Sequence, residues 1–548
     1  MKKKRIFQGG ILLSALLINA CKDPLEHFEL NVGTEILHYT NMIQVEDGNG
    51  QPISNITAAI SGPDAALIYN LAGYKNFTIN GGLLGLGIHP EHDPTKDREV
   101  RYDVSFSGSG YLTQVVPVVI SEQQPYSVQT VHILNLDNPP PGVRMNQSSL
   151  TLQNNTLLTD ATLATTIGNQ ATGTADIKLL QGTSFLDRQG AVIPGDHLNL
   201  RMVYLDASVE KALGAFPGGS LNSANVLAEG GTVVTSGSFN PAAVVAVDFF
   251  IGASPVKKFS QPVTLSIGLD AAFYNITTSA LLKAGDQLSV YSYDVTTAQW
   301  QFEKYVTVEM KNGKPVASFE TSHLSWYMVG NYLNSCTNPA ILRFSGNWMI
   351  AGNTYPLKVE ALLAGKVLKS LQVSLNTSSP IVNISDLPLS SKGISIRVYT
   401  ADGQLLTAAT GVELPSGSCT DEHIIALNPP VYNSAKVTLQ LYVRCPEKKS
   451  TVKVLPTFYL YYREAKTSAD DTGFKLLGVV KNGLLSTSLL TVDSKVYDFK
   501  AIWGNNIKYA YKKTVKADNS ATVGTAPGDI IGVKVGANNL EMLTENCQ

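Results

Sequence analysis

What most constrains this chain is a period of two. Val437-Thr438-Leu439-Gln440-Leu441-Tyr442-Val443 alternates apolar and polar residues, as do Ile394-Ser395-Ile396-Arg397-Val398-Tyr399 and the stretch from Gln287 to Asp294. Successive side chains of a strand point to opposite faces, so such a run offers one face to a core and the other to water. Short β-branched runs recur along the chain between clusters of Gly, Pro, Asn and Asp, and no stretch shows a sustained helical period with caps. The pattern predicts an all-β protein built of sandwiches. Helix is expected only in short pieces, such as around Thr278 to Lys283. A chain of 548 residues is too long for one core, and punctuation in the sequence suggests tandem β-sandwich domains.

The first sandwich is expected over residues 37–137. It contains Ile43-Gln44-Val45-Glu46-Asp47-Gly48-Asn49-Gly50-Gln51-Pro52-Ile53 and, later, Ser109-Gly110-Tyr111-Leu112 leading into Val115-Val116-Pro117-Val118-Val119-Ile120. This strand–turn–strand phrase with its later Gly-Tyr strand resembles the carboxypeptidase regulatory-like type of transthyretin-like sandwich, which implies a fold, Ig-like or transthyretin-like, and not an activity. Asn138-Pro139-Pro140-Pro141-Gly142 reads as stiff, extended backbone. With the Thr-, Asn- and Gln-rich stretch that follows, it sets a linker at 138–175; residues 146–175 fit either irregular strands laid on a neighbour or a flexible connector. A second sandwich is expected over 176–331. Its Tyr291-Ser292-Tyr293-Asp294 hairpin and closing Thr321-Ser322-His323-Leu324-Ser325-Trp326 are similar to the sandwich modules of ankyrin, netrin-receptor and cartilage intermediate-layer proteins. The resemblance implies structural or protein contacts. Residues 332–428 and 429–548 are expected to form a third and a fourth sandwich, with Asn428-Pro429-Pro430 at their boundary and Ile530 to Val535 near the closing strand of the last.

The amino end gives an address. Lys2, Lys3, Lys4 and Arg5 precede an apolar run from Ile11 to Ile18, long enough for an export signal and too short to span a bilayer. Leu17-Ile18-Asn19-Ala20-Cys21 resembles the lipobox of bacterial lipoproteins, although Ile18 and Asn19 are not its commonest residues. The resemblance implies a signal peptide over 1–20, removed before Cys21, lipidation of Cys21 with a palmitate-like acyl chain, and a tether over 21–36. Lys22-Asp23, directly after that cysteine, is similar to the surface-export signal of Bacteroidetes lipoproteins. The expected location is the outer membrane, lipid-anchored and facing the outside of the cell, so the membrane is one partner.

Charged residues are 16% of the chain, below the usual quarter, and the net charge is −2. Neither nucleic acid nor an anionic surface is indicated as a partner. Apart from Cys21, the cysteines are Cys336, Cys419, Cys445 and Cys547, an even number in an exported chain, which points to disulfides. The connectivity is not readable from spacing; Cys336–Cys419 with Cys445–Cys547 is favoured because each bridge would bracket one domain. No CxxC spacing occurs among them, so zinc or redox chemistry is not expected.

Few residues suggest chemistry. His89-Pro90-Glu91-His92-Asp93 is the densest set of metal-ligand types, but the prolines exclude a zinc-binding helix and no distant ligand is identifiable, so an exposed polar loop is expected and no metal. His323 beside Ser322 lacks the Gly-x-Ser-x-Gly elbow that exposes a nucleophile, and a core histidine is expected. Asp47, Asp294 and Asp402 fall in turns, where they bond local backbone, and no carboxylate pair stands out. Tyr459, Tyr461 and Trp503 are candidates for an aromatic platform that binds a sugar ring, with cross-strand packing as the competing reading. An enzyme would show a cleft with converging titratable groups, and none is expected, nor any cofactor. The expectation is a non-catalytic, surface-exposed lipoprotein that binds, adheres or assembles through an unknown protein or glycan ligand. The alternatives are a glycan-binding accessory lipoprotein of a nutrient-uptake system and, last, an enzyme.

Overall fold

The computed structural model describes residues 30–33, 37–122, 124–168, 171–223, 225–234, 236–295, 297–388, 394–415, 421–430, 437–444, 452–455, 457–468, 470–503, 506–515 and 538–543. The expected signal peptide, Cys21, most of the tether, Cys419, Cys445, Cys547 and Ile530 to Val535 lie outside the described residues. The chain is all-β, and it forms sandwiches.

Leu30–Gly33 (β1) belongs to the last unit. The first unit is formed by Thr40–Asp47 (β2), Thr57–Ser61 (β3), Ile68–Asn70 (β4), Leu83–Ile88 (β5), Val100–Ser107 (β6), Gln114–Ile120 (β7) and Tyr126–Ile133 (β8). One sheet runs β3-β6-β7 and the other β8-β2-β5-β4, with β2 and β8 parallel. Between them lie Ile43, Val45, Leu86, Val104, Phe106, Val118 and Val131, the inward members of the alternating runs.

The second unit takes in much of the stretch expected as a linker. Val143–Gln153 (β9) pairs along Leu205 to His197, because its Met145 and Leu152 supply core side chains. Then follow Ala161–Ala164 (β10), Ala175–Leu179 (β11), His197–Leu205 (β12), Gly237–Ile251 (β13), Lys258–Gly268 (β14), Gln287–Asp294 (β15), Gln299–Lys311 (β16), Lys314–His323 (β17) and Trp326–Asn334 (β18). The order β9-β12-β13-β18-β15-β16 forms one wall and β10-β11-β14-β17-β16 the other, closed through the long β16. Thr278 to Lys283 is not helical: Tyr274 and Asn275 pair with Leu281 and Ala280 in a small hairpin. The α-helix of the described residues is instead the single turn Glu210–Leu213.

Ala340–Ser345 (β19), Thr354–Leu363 (β20), Lys366–Asn376 (β21), Ile381–Ile384 (β22), Ile394–Thr400 (β23) and Glu422–Ala426 (β24) form the third unit, as sheets β22-β19-β24 and β21-β20-β23. Its interior residues Leu342, Tyr355, Val359 and Ile396 share one apolar cluster with Val203, Val244, Trp300 and Met328 of the second unit. That sharing explains why β13 is buried on both faces over most of its 15 residues.

The last unit comprises Val437–Arg444 (β25), Val452–Leu455 (β26), Phe458–Glu464 (β27), Lys475–Val480 (β28), Leu484–Thr487 (β29), Val496–Trp503 (β30), Asn506–Thr514 (β31) and Asn538–Leu543 (β32). Its sheets are β28-β27-β30-β31 and β1-β26-β25-β29, with β32 also on β25. Part of the expected tether is thus a strand: β1 runs parallel to β26, from Leu30 opposite Val452 to Gly33 opposite Leu455.

The units are joined by more than connecting chain. Gln372 of β21 pairs with Val128 of β8, which, with the two-residue strand Val412–Glu413 beside β23, makes one eight-stranded sheet from the first and third units. Cys336, at the start of the third unit, is disulfide-bonded.

Candidate functional site

The eight-stranded sheet changes character along its outer face. On β2 the alternate residues Met42, Gln44 and Glu46 share that face, and on β8 Val128, Thr130 and His132 do. Met42 and Val128 are covered by Tyr459, Tyr461, Leu476 and Ile502 of the last unit. The next row is neutral and polar: the Gln372 amide donates to Gln44 Oε1 and, at 3.0 Å, to Thr130 Oγ1. Beyond it, Glu46 stands opposite His132 across the β2–β8 ladder. On the third unit's part of the sheet, Glu360 is only 2% exposed and accepts from Arg397 Nη2 at 2.7 Å and Nε at 3.0 Å, with Lys358 Nζ at 2.6 Å. Arg397 also stands 3.8 Å from Glu210 of the second unit.

A cleft of about 480 Å³ opens where these three units meet. Its walls are Ser127 to His132 of β8, Val116 to Ile120 of β7 and Gly365 to Gln372 along β21; Ser208, Glu210 and Gly218 to Ser223 of the second unit close it. Burial pushes the Glu46 carboxyl up to about 7, and the neighbouring Asp47 charge adds to it. Burial pulls the His132 imidazole down, against the hydrogen bond with the Asp47 carbonyl. Lys366 is brought down to about 8 by burial, opposed by Asp270 and Asp206, and Lys369 is lowered in the same way, opposed by Asp386 and Glu99. A cleft of converging titratable groups is therefore present, against the expectation from sequence. Lys366 Nζ donates to the Pro241 carbonyl at 2.6 Å and Lys369 Nζ to that of Ser385 at 3.2 Å. Those bonds position cations, and such an arrangement can recognise a polar ligand. Its volume falls in the range of ordinary ligand sites.

The candidates from the sequence lie elsewhere. Tyr459 and Tyr461 do share a face of β27, but they are 2% and 1% exposed and packed on the first unit, so they form no platform for a sugar. The Tyr459 hydroxyl is 2.8 Å from Thr40 Oγ1 and donates to the Thr40 and Ser127 carbonyls. The opposite face, Phe458, Leu460 and Tyr462, fills the last unit's own core. Trp503 ends β30, and its side chain lies outside the described residues. In the His89 loop, Asp93 turns to His38, 2.6 Å away, and the His89 ring packs on those of Tyr69 and His92. No group of metal-ligand residues converges among the described residues.

His323 Nε2 is 3.2 Å from Glu303 Oε1, and Ser292 Oγ donates to the same oxygen at 2.5 Å. Burial raises Glu303, but these two hydrogen bonds outweigh it and leave the carboxyl below its usual value. Both side chains serve the carboxylate, and the hydroxyl does not address the imidazole, so this is not a nucleophile–base pair. Asp47 caps its turn by accepting from the Asn49 and Gln51 amides, as expected. Of the cysteines, only Cys336 is among the described residues.

No family model matches the chain, and no curated protein matches it. Among solved structures, the Bacillus anthracis TIE protein aligns over 74% of this chain and 58% of its own, at 9% identity and a TM-score of 0.13. The streptococcal ancillary pilin aligns over 49% and 95% at 8% identity and 0.14, and BcpA, the major pilin subunit of Bacillus cereus, over 72% and 99% at 9% and 0.13. This chain thus spans less than two thirds of the TIE protein's length. At such scores the fold rests on the strand pairing itself.

Proposed function

We propose that this chain is a lipoprotein of the cell envelope, held by a lipid on Cys21 and displayed on the outer surface, where it acts as a non-catalytic binding or assembly component. The basic start, the apolar run and the lipobox-like Leu17 to Cys21 support the anchor. The observation that carries the binding role is the seam: sandwiches fused through a common sheet hold a polar cleft between three units, where a string of separate beads would have none. The glycan reading loses two of the three residues that supported it, because Tyr459 and Tyr461 are inside.

Metabolic labelling with an alkyne fatty acid tests the anchor, with label expected on the wild type and absent from Cys21→Ser. Protease shaving of intact cells tests display. Equal labelling of both proteins, or complete resistance to shaving in cells whose surface controls are cleaved, would contradict the reading.

A further inference from the structure

The residues that line the seam cleft come in unbroken runs. Ser127, Val128, Gln129, Thr130, Val131 and His132 all border it, as do Gly365 through Gln372. A strand that turned one face to a cavity would line it with every second residue. A strand that lines it with every residue presents its edge, the side that carries backbone N–H and C=O groups. The ladders agree. β8 is paired with β2 along its whole length, and β21 with β20, but between β8 and β21 the register contains the single pair Val128–Gln372. Beyond that pair no further backbone pairing joins the two strands among the described residues. β7 pairs with β6, and its other edge, Val116 to Ile120, meets the same space. The second unit satisfies one group on β21, through Leu221 N to Leu368 O at 3.2 Å. Ser127 Oγ, Gln129 Nε2 and Asn222 Oδ1, on residues that border the cleft, are buried with no hydrogen-bond partner in the protein.

We propose that this cleft receives an extended peptide segment of a partner protein, added as a strand between β8 and β21 and held through its main chain. Strand edges recognise a peptide by its main chain, and the side chains around them set the preference. The run of six residues on β8 matches about 20 Å of extended chain. The proposal rests on the binding role above but not on the lipid.

The probe is a phage-displayed library of random decapeptides selected on the folded mature chain, followed by synthetic copies of the selected sequences. Expected are peptides that bind in extended form. Their binding should weaken at least tenfold when alternate amides are N-methylated, and at least tenfold against Ser370→Trp, which fills the cleft from β21. Hydrogen exchange should slow at Gln129 to His132 and Val367 to Leu371 on binding. A thermal melt of Ser370→Trp checks that it is folded; Ser208→Trp, from the opposite wall, replaces it if it is not. Three results would overturn the proposal: no peptide above a scrambled control, selected peptides that tolerate both N-methylation and cleft filling, or protection of these amides by inorganic phosphate or simple sugars and not by peptide. Each leaves the labelling and shaving results for Cys21 untouched.

Discussion

Glu46 offers a quantitative test of how the seam is built. Its carboxyl lies on the polar face of β2, close enough to the second and third units for burial to raise it from an ordinary 4.5 to about 7. The folded chain therefore holds a proton there that the unfolded chain releases between those two pH values. Stability from this group is unaffected below about pH 4.5, falls as pH rises through the window, and levels off above about 7. Raising a carboxyl's pKa by one costs its ionised form about 1.4 kcal/mol, which gives a ceiling of roughly 3 kcal/mol. Glu46 retains some contact with water, so about 1–3 kcal/mol is the expected size. Glu46→Gln removes the titration and keeps the shape. It should leave stability nearly unchanged at pH 4.5 and raise it at pH 8.5. For a cooperative unit of 150–250 residues, each kcal/mol moves the midpoint by about 2–4 °C. Scanning calorimetry at the two pH values reads the effect directly. A change of equal size at both, or a lower midpoint for the variant at pH 8.5, would refute the claim that the three units dehydrate this carboxyl.

Four further outcomes are expected. His132 is held neutral by burial, so it lowers stability as pH falls below the ordinary histidine value near 6.5; urea melts should show His132→Gln gaining on the wild type between pH 7 and pH 5. Tyr459→Phe should cost about 1 kcal/mol for its bonds to Thr40, while Tyr461→Phe, whose hydroxyl is buried with no partner, should be neutral or stabilising in the same melts. Arg463 and Asp498 are almost fully buried and 3.0 Å apart, so Asp498→Ala should destabilise the last unit by about 3–5 kcal/mol, visible in its denaturant midpoint. Non-reducing peptide mapping should recover Cys336 linked to Cys419, and a link to Cys445 or Cys547 would refute the proposed pairing.

The strands are legible in the sequence because alternation is local. Ile43 and Val45 against Gln44 and Glu46, or Ile396 and Val398 against Ser395 and Arg397, already separate core from outer face. The seam is not legible, because what lies over an outer face is decided by other parts of the chain. Alternation puts Tyr459 and Tyr461 on one face of β27, but nothing near them in sequence says that Met42 and Val128 cover it. Glu46, Glu360 and Lys366 look like ordinary solvent-side residues of alternating strands. Their burial arises only when β8 and β21 come together from positions 244 residues apart, as Val128 and Gln372 do. The stretch from 143 to 175 misleads for a related reason: its Thr, Asn and Gln content suits an exposed strand surface as well as a connector, and only the register of β9 on β12 separates the two.

The strand Leu30–Gly33 has a mechanical consequence. If Cys21 is the point of attachment, the nine steps to Leu30 reach at most about 30 Å, so β1 and the sheet it joins in the last unit lie within that distance of the lipid. A pull on the other units would return to the lipid through four residues zipped alongside Val452 to Leu455. Tension would find that short graft before it strained any larger sheet, and its rupture would release slack like a fuse.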